Sequence, residues 1–68
     1  MKVLYFPDTD TALIQLSDRK VHETKEINEN LYLDLDENGN VVSMTIEHAK
    51  ELASISEISF LQVEEKPA

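Results

Sequence analysis

Residues 30–46 alternate between apolar and polar side chains, and this alternation constrains the fold more than any other feature of the chain. Every second residue from position 31 to position 35 is leucine, with polar or aromatic residues between. Successive side chains of a β-strand point to opposite faces, so this spacing predicts a half-buried strand over Asn30–Asp36. A second alternation over Val41–Ile46 follows the Asn38-Gly39 pair, which tolerates the positive φ of hairpin turns. The sequence therefore predicts an antiparallel hairpin.

Two segments near the start of the chain predict a further hairpin. Lys2–Phe6 and Thr11–Ser17 both alternate. The turn between them, Pro7–Asp10, combines a proline of fixed φ with aspartates that accept local hydrogen bonds. The polar segment Asp18–Glu29 is compatible with either a weak edge strand or an irregular connection.

The apolar period changes to that of a helix after Ile46, which predicts one or two helical turns reaching Ala53. Ile55–Val63 is ambiguous between strand and helix. Its β-branched and aromatic residues favour a last strand, apolar on both faces. Such a strand is expected to cover the core on one side and a sister subunit on the other.

These elements predict an α+β fold. We expect an antiparallel sheet of four to five strands in consecutive hairpins, with one short helix near the C-terminus, between the fourth and last strands. Residues 1–63 are expected to form a single small β-rich domain, and residues 64–68 a frayed tail.

The chain has 68 residues and no cysteine, so its small core lacks the disulfides that stabilise many domains of this size. Self-association is one of the remaining aids, and we expect a homodimer or larger oligomer. A formal net charge of -8 argues against nucleic acid and anionic membranes as partners, because both recruit Lys and Arg. A small basic protein fits this charge.

The chain shows no secretory signal at its start and no apolar stretch of the ~18 residues that a membrane span needs. Together with the absence of cysteine, this predicts a cytoplasmic protein that does not enter the membrane.

The acidic hairpin turn is the strongest candidate for a cation site. Residues 34–39 match the first half of an EF-hand calcium loop, with Asp34, Asp36 and the Asn38 carbonyl as candidate ligands. The second half fails, because Thr45 stands where a bidentate glutamate is required and strands flank the loop instead of helices. A solvated turn is the preferred interpretation. A small divalent-cation or ligand-binding protein that uses hairpin 34–39 is the alternative function.

Other polar residues give little reason to expect catalysis. Asp8 and Asp10 are carboxylates of a turn, where capping is the expected role. His22 lies in a polar segment and His48 at the strand-to-helix junction, without the cysteine or fixed acid of a zinc site. The serines lack a nucleophile elbow, and the single glycine excludes a phosphate-binding loop. We expect no enzyme and no cofactor; His48 is the best of the weak catalytic candidates.

Three segments resemble a family of short prokaryotic proteins, Domain of Unknown Function 2283. They are Tyr5–Ser17 (YFPDTDTALIQLS), Leu33–Val42 (LDLDENGNVV) and Ile46–Ala49 (IEHA), in the family's order. The resemblance spans about residues 2–53, and Ser54–Ala68 extends past it. His48 departs from the family pattern, in which many members carry an acid or asparagine.

The resemblance implies no established activity and transfers no site residue. It implies a small stand-alone protein, often encoded near another small gene in an arrangement that suggests toxin–antitoxin pairs. With the negative charge, we expect a non-enzymatic protein-interaction module that self-associates. It would be antitoxin-like, with its negative surface masking a basic partner.

Overall fold

The structure is a computed structural model that describes residues 1–64, and it contains one antiparallel sheet of five strands. The strands are β1 (Lys2–Phe6), β2 (Thr11–Gln15), β3 (Glu23–Asn28), β4 (Leu31–Leu35) and β5 (Val41–Glu47). The helix α1 (Ala49–Leu52) follows β5. The spatial order is β1-β2-β5-β4-β3, so β5 lies at the centre and β1 and β3 form the two edges.

Both predicted hairpins are confirmed, and the structure adds a third. β1 pairs with β2, and β4 pairs with β5. The segment Asp18–Glu29 was compatible with either an edge strand or an irregular connection, and it contains the edge strand β3. This strand joins β4 through the two-residue turn Glu29-Asn30. The hairpins are not all consecutive, because β2 pairs with β5 and not with β3.

The fold class is mainly β and not α+β, because α1 is a single turn of four residues. The helix follows all five strands and does not lie between the last two. It also starts later than expected, since Ile46 and Glu47 belong to β5 and pair with neighbouring strands.

The last strand predicted over Ile55–Val63 is wrong. After a turn in which the Glu57 N–H donates to the Ser54 carbonyl at 3.0 Å, the chain runs to residue 64 without regular structure. A β-strand needs a hydrogen-bonded neighbour, and within residues 1–64 none is supplied to this segment. Most of the predicted tail, from residue 65 onward, lies outside the described residues.

The pairing register sorts the side chains onto two faces of the sheet. The apolar face carries Val3, Tyr5, Ala12, Ile14, Leu31, Leu33, Met44 and Ile46, with the charged residue Lys25 at its β3 edge. The polar face carries Lys2, Leu4, Phe6, Thr11, Leu13, Gln15, Thr24, Glu26, Tyr32, Asp34, Ser43, Thr45 and Glu47. α1 lies on the apolar face, where Leu52 and Ala53 line a shallow groove with Leu31 and Ile46.

The helix covers little of the apolar face. The buried hydrophobic residues are Ala12, Val42 and Ala49, and no large side chain of the described chain is fully buried. A stable domain normally packs two layers of secondary structure around a core. Here the second layer is one helical turn, so the other side chains of the apolar face stay half-buried.

The β4–β5 turn differs in detail from the expected Asn-Gly geometry. The Gly39 N–H donates to the Asp36 carbonyl at 3.1 Å, which places Glu37 and Asn38 at the two central positions. Gly39 has a φ of 83°, whereas Asn38 is not among the residues with positive φ. This is a type I turn followed by a left-handed glycine.

Replacing Gly39 with alanine is expected to destabilise the protein by about 1 kcal/mol, the cost of a left-handed backbone for a residue with a Cβ. An added methyl group would meet no atom within 4 Å, so steric contact adds nothing. Urea unfolding followed by far-UV circular dichroism measures the loss. Glu37→Ala, at an exposed position of the same turn, is the matched control. Equal stabilities of the two variants would contradict the prediction.

Candidate functional site

The apolar face of the sheet is only partly covered, because the one helical turn α1 packs on it. Its central row runs across four strands through Val3, Ile14, Met44 and Leu33, all half-buried. The chain exposes 5705 Å². A compact monomer of this mass, 7.8 kDa, exposes about 4,400 Å². The excess of about 1,300 Å² belongs to the whole chain, including the exposed segment that follows α1.

The C-terminal arm, defined here as residues 54–64, contributes to this excess. Four of its large apolar side chains are strongly exposed, Ile58 60%, Phe60 86%, Leu61 82% and Val63 73%, whereas Ile55 is half-buried. Exposed apolar clusters of this kind are uncommon on monomeric proteins and mark interaction surfaces. The arm and the apolar face together give the chain two unpartnered apolar surfaces.

The two edges of the sheet differ in character. All residues of β3 are exposed, and charged residues at three of its six positions, Glu23, Lys25 and Glu26, oppose pairing with another strand. β1 carries one charged residue, Lys2, followed by four apolar or aromatic residues. The β1 edge therefore lacks the usual protection against strand addition.

A polar junction ties the β1–β2 turn to α1. The Tyr5 hydroxyl donates to Asp10 Oδ1 at 2.6 Å, and the Lys50 N–H donates to the same oxygen at 3.1 Å. The Ala49 N–H donates to the Asp10 backbone carbonyl at 2.9 Å. Asp10 thus satisfies two N–H groups at the start of α1, the role that a helix N-cap residue normally plays.

His48 occupies the N-cap position of α1, but its side chain makes no capping hydrogen bond. Its Nδ1 instead lies 2.9 Å from Asn30 Oδ1, and the Glu47 N–H donates to the Asn30 carbonyl at 2.8 Å. His48 and Asp10 adopt left-handed backbones with φ of 54° and 53°. Hydrogen bonds from these residues link the β1–β2 turn and the β3–β4 turn to the start of α1. The role of the junction is therefore structural.

The hydrogen bond to Asp10 raises the pKa of Tyr5 to about 12, because it stabilises the neutral hydroxyl and faces a negative carboxylate. The same bond lowers the pKa of Asp10. The pKa of Tyr5 is higher in the folded than in the unfolded chain, where it is about 10. The hydrogen bond therefore stabilises the fold fully below pH 10, and this stabilisation is lost as the pH rises through the folded pKa.

In the variant Tyr32→Phe, which leaves Tyr5 as the sole tyrosine, tyrosinate absorbance is expected to titrate with a midpoint near 12. Adding Asp10→Asn removes the carboxylate and is expected to move the midpoint toward the ordinary value near 10. Circular dichroism at each pH identifies the range in which the chain stays folded. An unchanged midpoint after Asp10→Asn within that range would contradict the role assigned to Asp10.

The candidate cation ligands are occupied by protein donors. Asp34 lies on the polar face, where its two oxygens accept the hydroxyls of Thr24 at 2.7 Å and Ser43 at 2.6 Å. Asp36 lies in the turn and is only 7% exposed. Its Oδ1 accepts the N–H groups of Asn38 and Asn40, both at 2.9 Å.

The Asn40 N–H, as the largest contribution, lowers the pKa of Asp36 below its usual value, and Arg19 adds to this with Nε 3.4 Å from Oδ2. This carboxylate therefore organises the turn that sequence reasoning identified as a calcium-loop fragment. Among residues 1–64, no group of three His, Cys, Asp or Glu side chains is placed to hold a metal ion.

The other predicted site residues do not converge on one site. The side chain of His22 is exposed, and its backbone N–H donates to the Leu35 carbonyl at 2.7 Å, next to the Asp36 turn. His48 lies at the opposite end of β5, and Asp8 is an exposed residue of the first turn. In the described part of the chain, no helix is long and apolar enough to cross a membrane.

Comparison with known proteins identifies a family but no characterised relative. No curated protein and no solved structure matches the chain. The family described as Protein of unknown function (DUF2283) matches residues 2–50. The match spans all five strands and the polar junction as far as Lys50, and the C-terminal arm lies beyond it. The chain therefore belongs to the DUF2283 family.

Proposed function

We propose that this protein is a non-catalytic protein-interaction module of the cytoplasm that works as a homodimer or larger oligomer, with the apolar face as its self-association surface. The observation that carries the proposal is a five-stranded sheet whose apolar face has one helical turn as its second layer. A second copy supplies the missing layer.

Burial of the apolar face against a second copy would supply the favourable term that drives most protein association. The isolated chain, in contrast, has no large buried side chain among its described residues to stabilise it.

Light scattering after size-exclusion chromatography tests the proposal across the micromolar range. We expect a mass at least twice that of the 7.8 kDa chain. A folded monomer at all concentrations, with intact β-sheet circular dichroism and cooperative unfolding, would contradict self-association.

The charge on the polar face supports a second, basic partner, and with it the antitoxin-like role. Glu26, Asp34 and Glu47 share this face with one cation, Lys2. Since this face is separate from the self-association surface, the homo-oligomer leaves it free for another protein. Complementary charge would speed the encounter and make it sensitive to salt.

Co-purification from the native cell is expected to recover a small basic protein in a fixed ratio to the chain. The association rate of the purified pair should fall as salt rises. The double variant Glu26→Gln and Glu47→Gln should slow association, whereas Glu37→Gln in the exposed hairpin turn serves as the control. Absence of a stoichiometric basic protein, or an association rate independent of salt, would count against this partner.

A further inference from the structure

We propose that the C-terminal arm of one copy adds as a sixth strand to the free edge of β1 in a second copy. This inference rests on the proposed self-association through the apolar face and adds to it a second contact, between the arm of one copy and the β1 edge of the other. The added strand would pair with the free backbone groups of β1 and would bury apolar side chains of the arm.

The β1 edge has a free row of backbone groups, because β2 is its one neighbour within the described sheet. Its side chains are apolar on both faces of the sheet. Val3 and Tyr5 lie on the apolar face, and Leu4 and Phe6 on the polar face. Phe6 is 47% exposed although it belongs to a strand. An added strand at this edge would therefore be in an apolar setting on both sides.

The arm has the matching pattern. In an extended conformation, Ile58 and Phe60 point to one side, and Leu61 and Val63 to the other. This pattern is unfavourable for a strand with one face in water and suits a strand that adds to β1. Pairing also satisfies the backbone N–H and C=O groups of the arm, which would remain unpaired if the arm merely lay on the apolar face.

The other edge does not offer such a partner. β3 is fully exposed and carries Glu23, Lys25 and Glu26, so added apolar side chains would have charged neighbours. The arm carries one charged residue from Ile55 to Val63, Glu57, and β1 carries one cation, Lys2. Charge and hydrophobicity both favour β1.

The path of the chain favours a second copy over the arm's own β1. α1 begins at Ala49, whose N–H donates to the Asp10 carbonyl beside β2, and it ends at Leu52, near Leu31 of β4. The arm thus starts on the far side of the sheet from β1. The position beyond β1 lies four strand spacings from β4, about 19 Å.

Crossing this distance would use up more than half of the arm. A hydrogen-bonded turn between Ser54 and Glu57 holds those residues within about 7 Å of each other. Opening the turn and extending the chain would consume about six residues to cross the sheet. Ile58 could then no longer pair with β1 of its own chain. Addition to a second copy requires no such change.

Intermolecular paramagnetic relaxation in the full chain tests the proposal. The chain has no cysteine, so Ser59→Cys accepts one nitroxide label at a defined arm position. Mixing this labelled chain with ¹⁵N-labelled wild type reports contacts between copies only. We expect broadening of the β1 amides, Val3 to Tyr5, and weaker effects on β3. A nitroxide at Glu37→Cys, in the hairpin turn, is the control.

Ser59→Pro removes one backbone donor from the arm without removing an apolar side chain, and Ser59→Ala is its matched control. We expect Ser59→Pro to weaken the dimer about tenfold or more and Ser59→Ala to leave it unchanged. A dimer with unbroadened β1 amides and insensitive to Ser59→Pro would overturn the arm proposal while leaving self-association intact. A second sample, in which the nitroxide-labelled chain itself carries ¹⁵N and is diluted into unlabelled wild type, reports contacts within one copy. Broadening of β1 in this sample alone would overturn the proposal in favour of intramolecular pairing. A monomeric mass by light scattering would show that self-association itself fails.

Discussion

Met44→Glu is expected to convert the oligomer into folded monomers. Met44 lies on the central strand, with Ile14 beside it on one neighbouring strand and Leu33 on the other. In the single chain this position is half-buried, so a glutamate carboxylate can reach water there. In an oligomer closed over the apolar face the same carboxylate would be buried without a partner, which costs several kcal/mol. The dissociation constant should rise by about a thousandfold or more, since each 1.4 kcal/mol is a factor of ten.

The adjacent residue supplies a matched control for this variant. Thr45 follows Met44 on β5 but lies on the polar face, between Leu13 and Tyr32. Thr45→Glu places the same charge on the same strand, so both variants carry a glutamate in a central strand. Analytical ultracentrifugation gives the mass of each, and circular dichroism verifies the fold. A Met44→Glu protein that remains oligomeric would show that the apolar face is not the self-association surface.

The strands that could be predicted from sequence are those that bury one face. β4 and β5 alternate clearly because the leucines of β4 and Met44 and Ile46 of β5 lie together on the apolar face. β3 gave no such signal, since all six of its residues are exposed. An edge strand with polar side chains on both faces is specified by its pairing with β4 and by the turn that joins them. The Asn30 N–H donates to Asn28 Oδ1 at 2.8 Å there, an Asx turn that was the one local clue.

The strand predicted over Ile55–Val63 does not form in the single chain, because it has no neighbouring strand within residues 1–64. Ile58, Phe60 and Leu61 have the side chains that strands favour, but propensity alone supplies no hydrogen-bonded neighbour. The sequence led us to expect that this apolar segment contacts a second subunit, and the single chain leaves most of it exposed. The family resemblance, in contrast, was confirmed over residues 2–50.

The polar junction could not be predicted from the sequence, because its contacts join distant parts of the chain. Asp10 and Lys50 are 40 residues apart, and Asn30 and His48 are 18 apart. The turn preference of aspartate predicted that Asp10 caps its own turn. In the structure Asp10 accepts hydrogen bonds from the first N–H groups of α1. The partners of Asp34 were hidden for the same reason, since they are Thr24 and Ser43 on neighbouring strands.

Ala12→Asp is expected to remove a large part of the protein's stability at 25 °C. Ala12 has no exposed surface and lies between Tyr5 and Ile46 on the apolar face, and Ala49 of α1 is also fully buried. An aspartate here would be a buried charge without a partner, a loss of about 3–5 kcal/mol. Its position next to Tyr5, which holds the Asp10 carboxylate, adds like-charge repulsion. A domain of this size has a total stability of only about 3–10 kcal/mol.

Gln15→Asp is the control for this variant, since it adds the same charge to β2 on the polar face, opposite Lys2. Ala12→Leu is a second, uncharged test that separates helix docking from charge burial. Its larger side chain should cost about 1–3 kcal/mol by overpacking and should speed hydrogen exchange at the Ala49 and Lys50 amides, which bond to Asp10. Urea unfolding at one fixed protein concentration removes the effect of association on apparent stability. If Ala12→Leu left stability and these exchange rates unchanged, α1 would not be docked against Ala12, and the apolar face would be open along its whole length to a second copy.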